Sequence, residues 1–256
     1  MTQADPLESI LLPGFCTGIE NLRILKCFAP LCGPRVLDIG CYRGGAAMAL
    51  ALLGKRVEAI TIGPAWPRRL APVLAPFGGT VRDQAFEARE PDGALDGIWA
   101  SHVLEHSPNP GAFLTRCRAA LRDDGWLAVV VPPFKPRVVM GHISPGWNTG
   151  ILMYALAAAG FDPSRGHFLR HGYNVAGFVP KAARIPARHE EAFKNAALWP
   201  FAFDPATGFE GEIPACNWPE TFHTRMTTGL SALLPGDLPA ALDAAHALAA
   251  SWPRAA

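Results

Sequence analysis

Apolar residues occur along the chain in short continuous runs, separated by glycine, proline and acidic turns and by stretches with helical spacing. Short apolar runs bounded by turn signals are typical of strands buried on both faces of a sheet, whereas apolar residues three and four positions apart indicate helices. The pattern predicts strands at 35–39, 56–62, 80–82, 93–101 and 126–131, and helices at 44–53, 66–75 and 110–121. This alternation predicts an α/β fold with a parallel sheet.

The segments that flank this alternation are less regular. Residues 1–34 contain one helical stretch, 19–28, which ends before Pro30 and is predicted to cap the sheet. Beyond the fifth strand, the predicted elements are a helix at 151–159 and a hairpin of strands at 168–170 and 173–179. The hairpin completes a predicted core that extends from residue 35 to residue 180.

Residues 181–256 are predicted to form an irregular C-terminal appendage that acts as a lid or as an interaction segment. The appendage contains an amphipathic stretch at 190–198 and an alanine-rich helix near 238–251. Between them lie aromatic residues that either form the lid or, more simply, pack the appendage on the core: Trp199, Phe201, Phe203, Phe209, Trp218 and Phe222.

The composition limits the binding partners and the cellular location that we expect for this protein. Half of the 256 residues are hydrophobic and the formal net charge is +1, so no general positive field attracts nucleic acid or a membrane surface. The six cysteines include no C-x-x-C pair and are too sparse for a secreted disulfide scaffold. The N-terminus carries Asp5 and Glu8 instead of a basic leader, and no apolar run reaches the roughly 18 residues of a membrane span. We therefore expect a soluble cytoplasmic protein with no nucleic-acid or membrane partner.

A glycine turn between the first strand and the first helix is the strongest chemical signal. Asp38 lies near the end of the strand, and Gly40 and Gly44 let the backbone approach a ligand before the helix begins. Cys41 lies inside this turn as a small residue. A carboxylate at this place repels a pyrophosphate and suits a ligand with a positive amino group. The turn therefore predicts a nucleotide site for a ligand that carries an amino group.

The segment Val36-Leu-Asp-Ile-Gly-Cys41 resembles the first motif of class I S-adenosylmethionine-dependent methyltransferases, and the resemblance continues to about residue 180. It implies a doubly wound, mostly parallel sheet of seven strands, with the hairpin placing the seventh strand antiparallel between strands five and six. Tyr42 occupies the position of the family's second glycine, so its side chain projects away from the ligand or covers the ligand's methionine part. The resemblance also implies S-adenosylmethionine as cofactor, bound by the turn residues Asp38, Gly40, Cys41 and Gly44.

The resemblance assigns the ends of the second and third strands to the nucleoside part of the cofactor. Thr61, followed by Ile62, stands where the family commonly has an acid for the ribose hydroxyls. A hydroxyl accepts such hydrogen bonds less strongly than a carboxylate, so ribose binding is weaker or another acid substitutes. Asp83 and Gln84 follow the third strand where the family recognises adenine, although an aspartate there equally caps a turn.

The segment Ser101-His-Val-Leu-Glu-His106 after the fourth strand resembles the S-x-x-L-E-H segment of small-molecule methyltransferases. This resemblance places Ser101 and His102 among the cofactor-binding residues. On a helical turn, His102 and His106 share a face with Glu105 beside them. We predict that His106 removes a proton from the acceptor, the alternative being a polar cap over the edge of the sheet.

The segment from His102 to His106 also matches the H-x-x-E-H motif of inverted zinc proteases. That motif needs a long helix and a distant third ligand, whereas Pro108 and Pro110 cut this helix short. Some methyltransferases that the chain resembles bind a divalent ion through such residues. We nevertheless predict that no metal is bound.

The loop after the fifth strand is expected to form the acceptor pocket. His142 is its titratable group, with Trp147 as a flat wall and Asn148 as an amide, although a loop histidine is more often a surface residue. These features predict an enzyme that transfers a methyl group from S-adenosylmethionine to an oxygen or nitrogen of a small molecule or sugar. Two other classes stay open: a non-catalytic cofactor-binding or protein-interaction module on this fold, and a nicotinamide-dependent oxidoreductase, which Thr61 and Tyr42 disfavour.

Overall fold

The computed structural model describes residues 4–15, 18–144, 146–181 and 213–252. The chain groups into two compact units, residues 1–89 with 220–256 and residues 90–219. The predicted amphipathic stretch at 190–198 and four of the aromatic residues predicted in the appendage lie outside the described residues: Trp199, Phe201, Phe203 and Phe209.

The described residues contain eight α-helices and eight strands. The helices are α1 (Pro6–Leu11), α2 (Ile19–Phe28), α3 (Gly45–Leu52), α4 (Ala65–Leu74), α5 (Pro110–Ala120), α6 (Thr149–Ala158), α7 (Glu220–Thr227) and α8 (Leu238–Ala250). The strands are β1 (Arg35–Ile39), β2 (Arg56–Thr61), β3 (Thr80–Asp83), β4 (Leu95–Ser101), β5 (Leu121–Val131), β6 (His167–His171), β7 (Asn174–Pro180) and β8 (Ala215–Cys216).

Three parallel strands in the order β3-β2-β1 form the centre of the first unit. Every residue of β1 after Arg35 is buried, as its continuous apolar run predicts, and Asp38 is the polar exception. Strand β2 ends at Thr61, one residue earlier than predicted. Ile62 is therefore 79% exposed, because the chain turns away at Gly63, whose φ is +98°.

The C-terminal helices α7 and α8 belong to the first unit. The buried ammonium of Lys26 on α2 donates to the Glu8 carboxylate at 2.7 Å and to the Thr228 carbonyl at 2.6 Å. The thiol of Cys27 donates to the carbonyl of Phe222 at 3.4 Å, and the Phe222 ring is itself buried. Phe222 is therefore a packing residue, which is the simpler of the two roles predicted for the aromatic group.

The second unit contains strands in the order β4-β5-β7-β6-β8. β4 and β5 are parallel, and β7 pairs antiparallel with both β5 and β6. The predicted insertion of an antiparallel strand by the hairpin is thus confirmed. β5 begins at Leu121 instead of Trp126, because Asp124 adopts a left-handed conformation (φ 59°) and the register shifts without ending the strand.

The predicted α/β class with parallel strands is confirmed, with one strand more than the seven predicted. The additional strand, β8, is a pair of residues bonded to β6, too short to be predicted from a pattern. The division into 1–34, 35–180 and 181–256 stays a prediction. Within the described ranges, none of the helices combines the length and the apolar character needed to span a bilayer.

Candidate functional site

The carboxylate of Asp38 lies beneath the turn that joins β1 to α3. It is only 2% exposed, and it accepts a hydrogen bond from the backbone N–H of Ala47 in the first turn of α3. Its Oδ2 atom is buried and has no hydrogen-bond partner. Burial raises the pKa of Asp38 from 3.8 to about 7, against the opposing effect of the Ala47 hydrogen bond. An unpaired buried oxygen of this kind is complementary to a positive donor.

The glycines of the turn have different roles. Gly40 and Gly44 have φ of +74° and +79°, which only glycine adopts without strain. A Cβ at Gly44 would lie 2.8 Å from Cδ2 of Leu70 on α4, so a larger residue there would also displace the Leu70 side chain. Cys41 is buried, and desolvation together with the charge of Asp38 raises its pKa, which keeps the thiol neutral.

Residues from both ends of the chain hold this turn in place. Tyr42 has a left-handed φ of 43° and lies 5.3 Å from the Trp66 ring, centroid to centroid. Gly45 lies so close to Gly14 that a Cβ on Gly45 would be 2.8 Å from the Gly14 carbonyl carbon. The indole N–H of Trp252 donates to the carbonyl of Arg43 at 2.9 Å. The conformation of the turn therefore depends on side chains remote in sequence.

The end of β2 and the end of β3 bring Thr61 and Asp83 together. The two residues are paired in the parallel register, and Thr61 is buried whereas Asp83 is exposed. Asp83 Oδ1 accepts the backbone N–H of Gly63 at 2.7 Å, so Asp83 does cap the turn after β2. Gln84 donates from Nε2 to the Ala88 carbonyl at 3.1 Å, and its Oε1 is buried without a hydrogen-bond partner. A carboxylate thus lies beside the position where Thr61 replaces the family's acid.

In the second unit, the segment after β4 surrounds a buried carboxylate. Glu105 is fully buried, and neither of its side-chain oxygens has a hydrogen bond. Only Leu104–His106 form a helical turn, whereas His102 lies before it with a left-handed φ of 53°. His102 Nδ1 is nevertheless 3.2 Å from Glu105 Oε1, and its Nε2 is 2.9 Å from Asn174 Oδ1 on β7. Ser101 is the last residue of β4.

The ring of His106 is oriented by a loop carbonyl. Its Nδ1 lies 2.6 Å from the carbonyl oxygen of Gly141, and a carbonyl only accepts, so Nδ1 carries the proton. In the neutral ring, Nε2 is then the basic nitrogen, 3.9 Å from Glu105 Oε1. The N-terminus of α5 is capped by Asn109, which accepts the Ala112 N–H. Whether His106 acts as a base or as a polar cap over the edge of the sheet stays a prediction.

His142 joins this cluster from the loop after β5, and its role toward an acceptor stays a prediction. Its ring lies 5.2 Å from the His106 ring in an edge-to-face arrangement. One donor atom each from Glu105, His106 and His142 can be chosen so that all lie within 4.8 Å of one another. Two imidazoles and a buried carboxylate so arranged can share a proton or hold a divalent cation. That no metal binds here stays a prediction.

The loop borders an open cavity of about 420 Å³, lined by residues 133–139 and 142–144 together with Tyr173. Trp147 is buried outside this cavity, and the side chain of Asn148 caps α6 by accepting the Ile151 N–H at 2.8 Å. Lys135 and Arg137 line the cavity and were missed from the sequence, although two basic residues on either side of Pro136, shortly after β5, are a usable signal.

Comparisons with known proteins agree with this architecture. The family described as "Methyltransferase domain" matches residues 21–196. A ubiquinone biosynthesis O-methyltransferase of Xanthomonas campestris is 36% identical over 99 residues, 37% of this chain and 41% of that protein. The chain thus spans about two fifths of the length of the curated relatives it matches.

Two solved structures share the fold at low identity. A Burkholderia thailandensis 1,6-didemethyltoxoflavin-N1-methyltransferase, solved with its acceptor and S-adenosylhomocysteine, aligns with a TM-score of 0.53 at 20% identity, covering 71% of this chain and 92% of that one. The [4+2]-cyclase SpnF aligns with a TM-score of 0.51 at 17% identity, covering 66% and 82%. With the family match over more than half of its length, the chain belongs to the class I S-adenosylmethionine-dependent methyltransferase family that its glycine turn and its strand-four segment resemble.

Proposed function

We propose that this chain transfers a methyl group from S-adenosylmethionine to an oxygen or nitrogen of a small molecule. The curated relatives are named for O-methylation in ubiquinone biosynthesis, which favours an oxygen acceptor. The observation that carries the proposal is the orientation of His106, whose basic Nε2 faces a fully buried carboxylate beside the loop cavity.

The residues of the first unit fit the cofactor. The unpaired Oδ2 of Asp38 suits its ammonium group, and the turn backbone at Gly40 and Gly44 allows close approach. Asp83 offers the carboxylate that Thr61 lacks, so we assign the ribose hydroxyls to Asp83. The cofactor supplies an electrophilic methyl group on a sulfonium centre.

The residues of the second unit act on the acceptor. His106 takes the acceptor proton at Nε2, while the Gly141 carbonyl holds the proton already present on Nδ1. The negative charge of Glu105, at 3.9 Å, then stabilises the imidazolium that forms. A positioned base typically contributes about 10²–10⁴-fold, and the orientation of the reactants contributes more.

The test measures formation of S-adenosylhomocysteine from a panel of phenols, catechols, amines and sugars. His106→Ala should lower turnover by about 10²-fold or more with little change in cofactor affinity. His223→Ala, at an exposed position on α7, is the matched control and should retain full activity. Loss of activity on chelation, restored by added divalent metal, would instead assign the cluster of Glu105, His106 and His142 to a cation. Normal turnover by folded His106→Ala protein would exclude the base.

The same measurements test one of the two other classes that the sequence leaves open, the non-catalytic module. A non-catalytic module would bind S-adenosylhomocysteine but would methylate no acceptor. No particular feature of the described residues favours that alternative. We also infer a cytoplasmic setting, supported by the reduced, buried thiols of Cys27, Cys41 and Cys117.

A further inference from the structure

The cavity of the β5 loop is lined by two cations and by no acid among the described residues. Lys135 and Arg137 both line it, and His142 adds a titratable ring to its wall. The ammonium of Lys135 lies 4.3 Å from the centroid of the Tyr173 ring, a cation–π contact. Neither Lys135 nor Arg137 forms an ion pair within the described ranges, in contrast to Arg122 and Lys181 of the same unit. Two positive charges therefore face this cavity without a counter-charge.

Most of the remaining residues that line the cavity are apolar, and three of these are well exposed. Phe134 is 60%, Ile143 61% and Val138 96% exposed to solvent. Large apolar side chains that line a cavity and are left open to water are characteristic of a ligand site, since burying them against a ligand is favourable. The volume of about 420 Å³ lies in the range of pockets for small organic molecules. The walls thus suit a flat or branched apolar body, and the cations suit an acidic group attached to it.

We propose that the acceptor is an apolar small molecule that carries a carboxylate or a phosphate, bound by Lys135 and Arg137. This proposal rests on the proposed function, because it gives the substrate class of the same site. The charges have a positioning role: arginine takes a carboxylate or phosphate through two parallel N–H donors, whereas lysine provides a point charge. Because His142 lines the cavity and also belongs to the cluster of Glu105 and His106, an acceptor anchored by its acidic group lies beside the predicted base.

A binding experiment tests this without methyl transfer. Calorimetry would compare three probes with one ring system, 2-naphthoate, 2-naphthyl phosphate and the neutral 2-naphthamide, on the complete chain. We expect at least one anionic probe to bind about tenfold or more tightly than the amide, with an affinity that falls as salt is raised. A preference for naphthoate points to carboxylates and a preference for naphthyl phosphate points to phosphates. Equal affinity for all three probes, or no binding of any, overturns the proposal.

Variants assign the preference to the two cations. The double substitution Lys135→Gln with Arg137→Gln should reduce the ratio of anion to amide affinity to about one, while naphthamide binding is retained. Arg165→Gln, at an exposed arginine of the same unit that pairs with Asp124, is the matched control and should keep the ratio unchanged. An unchanged ratio in the double variant refutes the assignment. Failure of the proposed function looks different, because no acceptor would then be methylated while the anion preference persisted.

Discussion

Substituting Asp38 by asparagine should stabilise the free protein at pH 8 and weaken cofactor binding at the same time. The carboxylate is 2% exposed and one of its oxygens has no hydrogen bond. Raising its pKa from 3.8 to about 7 costs the folded state on the order of 4 kcal/mol above pH 7, at about 1.4 kcal/mol for each pH unit. The asparagine removes this cost but leaves amide N–H groups buried without acceptors, at about 1–3 kcal/mol. The expected net gain is therefore about 1–3 kcal/mol at pH 8.

The contribution of Asp38 to folding stability depends on pH, because its pKa differs between the folded and unfolded states. Between pH 3.8 and about 7 the folded protein keeps a proton on Asp38 that the unfolded chain has lost. The contribution of Asp38 to stability therefore falls as pH rises through this window, and it levels off above it. The Asp38→Asn protein lacks this decline but keeps the cost of its buried amide at every pH. The variant should therefore be less stable than wild type by about 1–3 kcal/mol at pH 4 and more stable than wild type at pH 8.

Differential scanning calorimetry at several pH values measures this difference in stability, at about 2–4 °C for each kcal/mol in a chain of this size. Asp237→Asn is the matched control, because the exposed Asp237 carboxylate also accepts a helix N-terminal N–H, from Ala240 at 3.4 Å. It should change stability little at any pH, since asparagine caps a helix about as well. Titration with S-adenosylmethionine should show strong binding to wild type and weak binding to Asp38→Asn. An Asp38→Asn protein less stable than wild type at pH 8, or one with unchanged cofactor affinity, would refute the reasoning.

Two further predictions concern the same unit. Asp83→Asn should lower the affinity for S-adenosylhomocysteine about tenfold in calorimetry, while its side chain keeps the hydrogen bond from the Gly63 N–H. The control Thr61→Val should lower that affinity less. The opposite ranking would assign the ribose hydroxyls to Thr61 instead of Asp83. Gly44→Val should lower the free energy of unfolding by about 2 kcal/mol or more in denaturant titration, because its φ is +79° and its Cβ would lie 2.8 Å from Leu70. Adding Leu70→Ala to Gly44→Val should restore part of the lost stability. A Gly44→Val protein as stable as wild type that failed only to bind cofactor would contradict the prediction.

The alternating strands could be predicted because each is a buried apolar run with a turn signal at its end, and those signals are local. Asp38, Gly40 and Gly44 are local in the same sense, since strand, acid and glycine lie next to one another in sequence. The prediction that Gly44 makes room for the ligand was incomplete, because the atom its Cβ would meet belongs to Leu70, on another helix. Spacing in the sequence carries no information about that neighbour.

The second unit shows the same limit at the candidate base. The strand-four motif identified His106 and Glu105, but which nitrogen of His106 is basic depends on the Gly141 carbonyl, brought there by a long loop. The expected roles of Trp147 and Asn148 in the acceptor pocket stay predictions. Both residues line a smaller cavity of about 100 Å³, Trp147 is buried, and the side chain of Asn148 caps α6. Asparagine at an N-cap position was a local signal for that outcome. The contact of Lys135 with the Tyr173 ring could not be predicted, because the two residues are distant in sequence and only the fold brings them together.

The bond from Trp252 to the Arg43 carbonyl, with Gly14 packed against Gly45, makes the glycine turn a joint product of three distant parts of the chain. A peptide or chimaera that carries only the β1–α3 motif lacks two of those parts, so transplanting the motif should not transplant the binding site. A deletion that stops short of Trp252, or a bulky fusion at that indole, would act on the cofactor loop from the far end of the sequence. Substitutions near Gly14 or Trp252 can thus alter cofactor affinity without changing a residue of the motif.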